Sequence, residues 1–200
     1  LAVGFLATEG ILGSPEDLEE ITIGSGEDTS GLGLAPNIAR VALREGVDVD
    51  LEQLSRHVFT SSSCGVCGKA TLEALANRGL ARLSGDEFCI APEVLRTLPG
   101  KILERQRTFA ETGGLHATAL VDVSGEILDL AEDVGRHNAM DKVIGRRVLE
   151  GALPLRDHIA LFSGRLGFEL VQKAACAGLT FLASVCAPST LSVQLAESMG

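Results

Sequence analysis

From residue 115 to residue 198 the chain alternates between short apolar runs and longer amphipathic ones, and few architectures accept that order. Residues 115–121 and 126–130 flank Val123-Ser124-Gly125 and read as a β-hairpin. A helix over 137–150, stopped by Gly151, leads to an apolar strand at 158–162. A helix over 166–177, stopped by Gly178, a strand at 180–185 and a helix at 189–198 complete the succession. Short turns between these segments predict an α/β (α+β) fold: a mixed β-sheet flanked by helices, in three layers around one core.

The first half is less regular. Residues 1–9 form an amphipathic helical pattern ended by Gly10, and Ser14-Pro15-Glu16-Asp17 starts a short second helix with Ser14 as cap and Pro15 at its first position. Ile21 and Ile23 mark a strand, and residues 37–43 mark another across the Gly/Ser/Asp-rich stretch 24–33, which together suggest a hairpin. A short helix is expected at 50–54, a strand-like run at 57–60 and a helix at 69–77 ending before Gly79. Further on, residues 80–83 pair on paper with 88–90, a helical turn begins at Pro92, and a longer helix covers about 101–110. No internal repeat or low-complexity tract occurs, so residues 1–200 are expected to form one domain with a smaller N-terminal lobe over about 1–60. The chain starts at Leu1 inside a helical pattern, and both termini read as truncated.

With 46% hydrophobic residues the chain can bury a substantial core. Its 17 basic and 27 acidic residues leave a net charge of −10, a field that repels polyanions and argues against nucleic acid or an anionic membrane as partner. Trp and Tyr are absent, which removes the usual stacking platforms for single strands. Five cysteines, with one close pair, do not form a disulfide framework and fit a reducing cytoplasm. No apolar run reaches the roughly 18 residues a membrane helix requires.

The close pair, Cys64 and Cys67, lies in Ser-Ser-Ser-Cys-Gly-Val-Cys-Gly-Lys-Ala (61–70) ahead of the helical run 69–77. A thiol at a helix N-terminus beside Lys69 has its thiolate favoured, which makes Cys64 a candidate nucleophile. Half a zinc site, a redox dithiol and a persulfide carrier all use two such thiols. For zinc the other ligands would come from His57, His116, His137, His158, Cys89, Cys176 or Cys186, among which no second close pair occurs. A thioredoxin-like reading gains nothing from the Ser and Gly-Val flanks. Zinc deaminases place His-x-Glu before Pro-Cys-x-x-Cys, whereas here the Cys pair comes first and His116-Ala117-Thr118 lacks the Glu. Cys89, Cys176 and Cys186 sit in apolar runs and read as buried small hydrophobes.

Three later motifs could hold an anion. Gly113 and Gly114 immediately precede the strand 115–121, and their amides, with His116 as a further donor, are candidates for an anionic ligand, or for a tight turn beside a structural His. Gly135-Arg136-His137-Asn138 opens a helix, with Asp141 and Lys142 in the next turn; helix N-termini attract phosphate, and a capped, solvated start is the alternative. Ser163-Gly164-Arg165 follows a strand at the end where open sheets place ligands, and Arg165 can fork onto a phosphate or carboxylate. Ser189-Thr190 offers hydroxyls at a later helix start, equally readable as a cap, while Arg146-Arg147 reads as a solvated helix face.

Taken in order, SSSCGVCGKA, TGGLHATAL, EDVGRHNAMDKVIG, SGRLGFELVQKAACAG and SVCAPSTLSVQLAE resemble the FdhD family, the sulfurtransferase accessory proteins of formate dehydrogenases. The resemblance implies a fold similar to that of cytidine deaminases, without their zinc chemistry and with no metal site. It also implies a relay in which a cysteine desulfurase leaves a persulfide on Cys64, with Cys67 assisting or resolving. The sulfur then passes to the molybdenum cofactor, bis-molybdopterin guanine dinucleotide, bound as substrate before insertion into formate dehydrogenase. Gly113, Gly114, His116, Arg136, His137, Asn138 and Arg165 are the expected cofactor contacts. The expected partners are the desulfurase and the dehydrogenase, in the cytoplasm, with a homodimer left open. Gly167 and Cys186 stand where the family pattern favours Ser, and Ser189-Thr190 where it favours Thr-Ser. A Gly/Arg-containing segment of the binding site is expected beyond Gly200.

Overall fold

A computed structural model of the chain describes residues 1–25, 37–47, 49, 83 and 88–200. The thiol loop at 61–70 and the helices expected at 50–54 and 69–77 lie outside the described residues.

Helix α1 (Ala2–Thr8) ends at Gly10, whose φ of 80° is open to glycine at no cost. A single 3-10 turn, Pro15–Asp17, follows, with Ser14 as its cap and Pro15 at its first position. The hairpin β1 (Leu18–Ser25) and β2 (Asn37–Leu43) is antiparallel, with Ile21 opposite Val41. Helices α2 (Pro92–Arg105) and α3 (Arg107–Thr112) lead into the hairpin β3 (His116–Val121) and β4 (Ile127–Asp133). Then come α4 (Arg136–Leu149), β5 (Ile159–Phe162), α5 (Phe168–Cys176), β6 (Phe181–Ser184) and α6 (Thr190–Met199).

The main sheet has the order β4-β3-β5-β6, with β3 antiparallel to both neighbours and β5 parallel to β6. It is the mixed sheet expected from the alternation. Period-two patterning gives it two apolar faces. Ala117, Ala119, Val121, Ile159 and Leu161 meet Leu98 and Ile102 of α2 on one side. Leu120, Ala160 and Phe162 face Met140 and Ile144 of α4 and Leu170 and Ala174 of α5 on the other. Helices therefore cover both faces.

Two predictions in the middle of the chain are corrected. Residues 88–90 form no strand; Phe88 and Ile90 turn towards the α2 side of the core, and Cys89 between them is exposed. Instead of a turn followed by a helix at 101–110, α2 is one helix that runs through Pro99 and breaks at Gln106. Leu98 and Ile102, four residues apart and each 1% exposed, straddle Pro99, and burying both outweighs the one backbone hydrogen bond the proline removes. The cysteine expectation fails as well, since Cys186 is exposed beyond the end of β6 and Cys176 is only half-buried. The Arg146-Arg147 doublet is a clamp rather than a free face. Arg146 forks onto Asp129 of β4 at 2.8 and 2.7 Å, and Arg147 bridges Asp129 and Glu150.

Helices α1 and α4 cross with their backbones in contact. A Cβ on Gly145 would lie 2.7 Å from the Gly4 amide nitrogen, and one on Gly4 would collide with the Asp141 carbonyl. Below that crossing, Lys173 of α5 donates to Thr8 Oγ1 (2.7 Å) and to both Asp141 oxygens (2.9 and 3.1 Å), and Thr8 donates to Asp141 (2.8 Å). Glu9 lies 3.6 Å from the same ammonium, which also sits over the Phe5 ring. Asp141, read from the sequence beside the anion motif, thus belongs to a buried network joining three helices. No helix among the described residues is long and apolar enough to cross a membrane.

Candidate functional site

Because β3 runs antiparallel to β4 and β5, its first residue lies at their last ones. His116 pairs with Asp133, Thr118 with Phe162, and the parallel strand β6 ends at the same level with Ser184 opposite Phe162. Strand pairing therefore gathers His116, the Asp133–Asn138 turn, the Ser163–Gly167 loop, Ser184 and the first turns of α4, α5 and α6 at one end of the sheet. Doubly wound sheets place ligands at this end, where strand carboxyl ends and helix N-termini converge.

Asp133 organises the turn into α4. Its Oδ1 accepts from the Gly135 amide (2.8 Å) and from Asn138 Nδ2 (3.1 Å), while Lys142 Nζ lies 2.6 Å from Oδ2 and also donates to the Glu132 carbonyl. Burial opposes ionisation of Asp133, but Lys142, the Gly135 amide and Asn138 outweigh it and hold the carboxyl below its ordinary value. Asn138 is thus committed to shaping the turn. With Lys142 it borders an open groove of 620 Å³ between α4, α1 and the β1–β2 hairpin, lined by Phe5, Ile21 and Ile23 among others.

Arg136 and His137 turn elsewhere, towards the loop before α5. His137 Nε2 stands 3.5 Å from Glu169 Oε2, and a Cβ on Gly167 would lie 3.2 Å from that oxygen and 4.0 Å from Arg136 Nη2. His137 first, and the Arg136 charge after it, hold the Glu169 carboxyl below its ordinary value against the opposing effect of burial. At 3.5 Å the contact is long for a hydrogen bond. Arg136 Nε and His137 Nε2 are buried atoms with no hydrogen-bond partner among the described residues.

His116 lies along the opposite edge of the same loop. A Cβ on Gly164 would come within 2.8 Å of His116 Nδ1, so the imidazole occupies the space that only glycine leaves there. Ser163 extends the β3–β5 pairing, its amide donating to the Ala117 carbonyl and its Oγ accepting from the Ala117 amide. Ser184 Oγ donates to the Gly164 carbonyl at 2.6 Å, and Arg165 projects into solvent. Gly113 closes α3 at a φ of 66°, its amide donating to the Phe109 carbonyl, and the Gly114 amide donates to Thr112 Oγ1. These two glycines spend their amides within the chain. Ser189 is the α6 cap, its Oγ accepting from the Ser192 amide.

The structure thus brings together His116, Gly164, Arg136 and His137, adds Glu169, and leaves Arg165 at the rim. Sequence reading missed Glu169 because an acid in the first turn of a helix is an ordinary complement to the helix dipole. Cys64 and Cys67 lie outside the described residues, among which no three His, Cys, Asp or Glu side chains gather as a metal would require.

The sequence profile of the FdhD/NarQ family matches residues 1–200. The chain belongs to the FdhD/NarQ family. It is 46% identical over 203 residues to the sulfur carrier protein FdhD of Streptomyces avermitilis, an alignment covering 100% of this chain and 71% of that protein. The proteins of the same name from Mycolicibacterium paratuberculosis and Saccharolobus solfataricus are 46% and 38% identical, with 73% and 70% of their lengths covered and 100% of this chain in each case. In fold, the chain is similar to a crystal structure described as a formate dehydrogenase accessory protein from Desulfotalea psychrophila. The TM-score is 0.65 at 24% identity, over 99% of this chain and 68% of that one.

Proposed function

We propose that this FdhD/NarQ protein is a cytoplasmic sulfur carrier in the maturation of formate dehydrogenase, holding sulfur as a persulfide on Cys64 and passing it to bis-molybdopterin guanine dinucleotide. The observation that carries the reading is Arg136 beside His137, each with a buried nitrogen that has no hydrogen-bond partner among the described residues, at the end of the sheet where such folds place ligands, in a chain whose relatives are named sulfur carriers. A net charge of −10 makes such a local cationic spot the natural landing place for a phosphorylated substrate.

The chemistry is thiolate exchange. The Cys64 thiolate attacks the outer sulfur of the desulfurase persulfide, a Cys64–sulfur bond forms, and the desulfurase thiolate leaves. Attack by the Cys67 thiolate on the inner sulfur then expels the outer one as hydrosulfide and closes a Cys64–Cys67 disulfide, which a thiol reductant reopens. His116, Arg136 and His137 are assigned to the phosphates of the cofactor, with Arg165 and the Gly113–Gly114 turn at the rim of the same site and Asn138 shaping it through Asp133.

Incubation with a cysteine desulfurase and cysteine, followed by intact-mass analysis, is expected to show one added sulfur that reduction removes and Cys64→Ala prevents. Absence of the adduct from the wild-type protein would refute the relay. A protein that only hands the cofactor over would keep supporting formate dehydrogenase activity as Cys64→Ala. Stoichiometric zinc lost on replacing Cys64 or Cys67 would instead identify a zinc-stabilised module.

A further inference from the structure

We infer that Glu169 is a built-in counter-anion of the phosphate site, held against Arg136 and His137 and displaced from them by the incoming ligand. The inference rests on the proposed reading that this site takes the phosphorylated end of the cofactor.

Three observations carry it. The first is the geometry over Gly167, where the Glu169 carboxylate and the Arg136 guanidinium share the space that a missing Cβ leaves open, with His137 Nε2 3.5 Å from the carboxylate. The second is how incompletely Glu169 serves its partners. Charge-assisted hydrogen bonds close to about 2.7–2.9 Å, yet Arg136 Nε and His137 Nε2 have no hydrogen-bond partner among the described residues. The carboxylate offsets the Arg136 charge without saturating either side chain, so both keep a nitrogen open to a tetrahedral oxyanion.

The third is the rigidity beneath. His137 and Asp141 are one turn apart on α4, and Glu169 and Lys173 one turn apart on α5, so the two pairs are successive rungs of one helix seam. The lower rung is a buried pair at 2.9 Å, with Asp141 2% and Lys173 7% exposed, and it fixes the spacing of the helices. The upper rung is open, with 44% of the Glu169 side chain exposed. Exchange therefore requires only that Glu169 rotate into solvent while both helices stay in place. A carboxylate so placed prevents Arg136 and His137 from collapsing onto another acid of this acidic chain, and yields to a doubly charged group.

The test is calorimetric titration of the full chain with GDP, which carries the diphosphate and guanine of the cofactor's nucleotide end. Glu169→Gln is expected to bind GDP about threefold tighter, the scale of one partly exposed ion pair. Glu169→Asp, one methylene further from His137, is expected to fall between it and the wild type. Glu126→Gln, which removes the same charge at the far end of the sheet, is expected to leave affinity unchanged, and Arg136→Gln to weaken it. Unchanged or weaker binding in Glu169→Gln and Glu169→Asp, with normal wild-type binding, would show Glu169 to be a plain structural partner and overturn the inference alone. Equal tightening in Glu126→Gln would reduce the effect to overall charge and overturn it too. No GDP binding by the wild type would overturn the phosphate reading and the counter-anion with it.

Discussion

At Gly164 a single methyl group decides whether the His116 ring keeps its place. The imidazole of His116 fills the space a Cβ would occupy, at 2.8 Å from Nδ1, so Gly164→Ala must displace the ring or the loop. Overpacking of this kind costs about 1–3 kcal/mol. The substitution is expected to lower the melting temperature and to shift the His116 ring resonances; an unmoved His116 spectrum would show that the contact is slack. Glu169 makes a second prediction at this scale. Its folded carboxyl lies below the unfolded value of 4.5, so its contribution to stability is present above that value and is lost as pH falls through the folded one. The stability difference between wild type and Glu169→Gln should close as pH drops below about 4.5, measured by denaturant melts. A difference that grew on acidification would contradict the favourable contact with His137 and Arg136.

Among the elements, α1, α4 and α5 behave as one block because a buried ion pair and a glycine crossing tie them. Removing one partner of a buried pair costs about 3–5 kcal/mol, since the other charge stays buried without compensation. Lys173→Met is therefore expected to lower the melting temperature by about 6–20 °C, given roughly 2–4 °C per kcal/mol for a chain of this size. Combining it with Asp141→Leu should recover most of that loss, and a double variant as unstable as the single one would argue against the uncompensated charge as the cause. Gly145→Ala acts at the crossing itself. A Cβ there would meet the Gly4 backbone at 2.7 Å, so α1 should lift from α4 and its amides exchange with solvent faster. Unaltered exchange in α1 would mean that the helices can slide apart without loss. Helix α2 shows the converse balance, in which two buried side chains override a proline that local reading takes as a break.

For the molecule as a whole, the thiol pair and the Arg136–His137 pair at the end of the sheet belong to separate stretches of the chain, and the proposed relay needs both. Cys64→Ala is expected to lose the persulfide by mass analysis while keeping wild-type GDP affinity by calorimetry; loss of both together would mean that the loop forms part of the nucleotide site. The sequence alone determined the strand–helix alternation, the hairpin turns, the helix stops at glycine and the two cysteines, because period-two and period-3.6 patterning and turn chemistry are local. It also pointed to Arg136, His137 and His116 as charged or titratable groups near glycines. Strand order was settled only by tertiary packing, since pairing β3 between β4 and β5 is a non-local choice. That choice placed His116 against Gly164, turned Asp141 inward to Lys173, spent Asn138 on Asp133, and set Glu169 opposite residues 136 and 137. Apart from Asn138 and Asp133, which are five residues apart, these contacts link residues 32 or more positions apart in the chain, and no short window of sequence contains both partners.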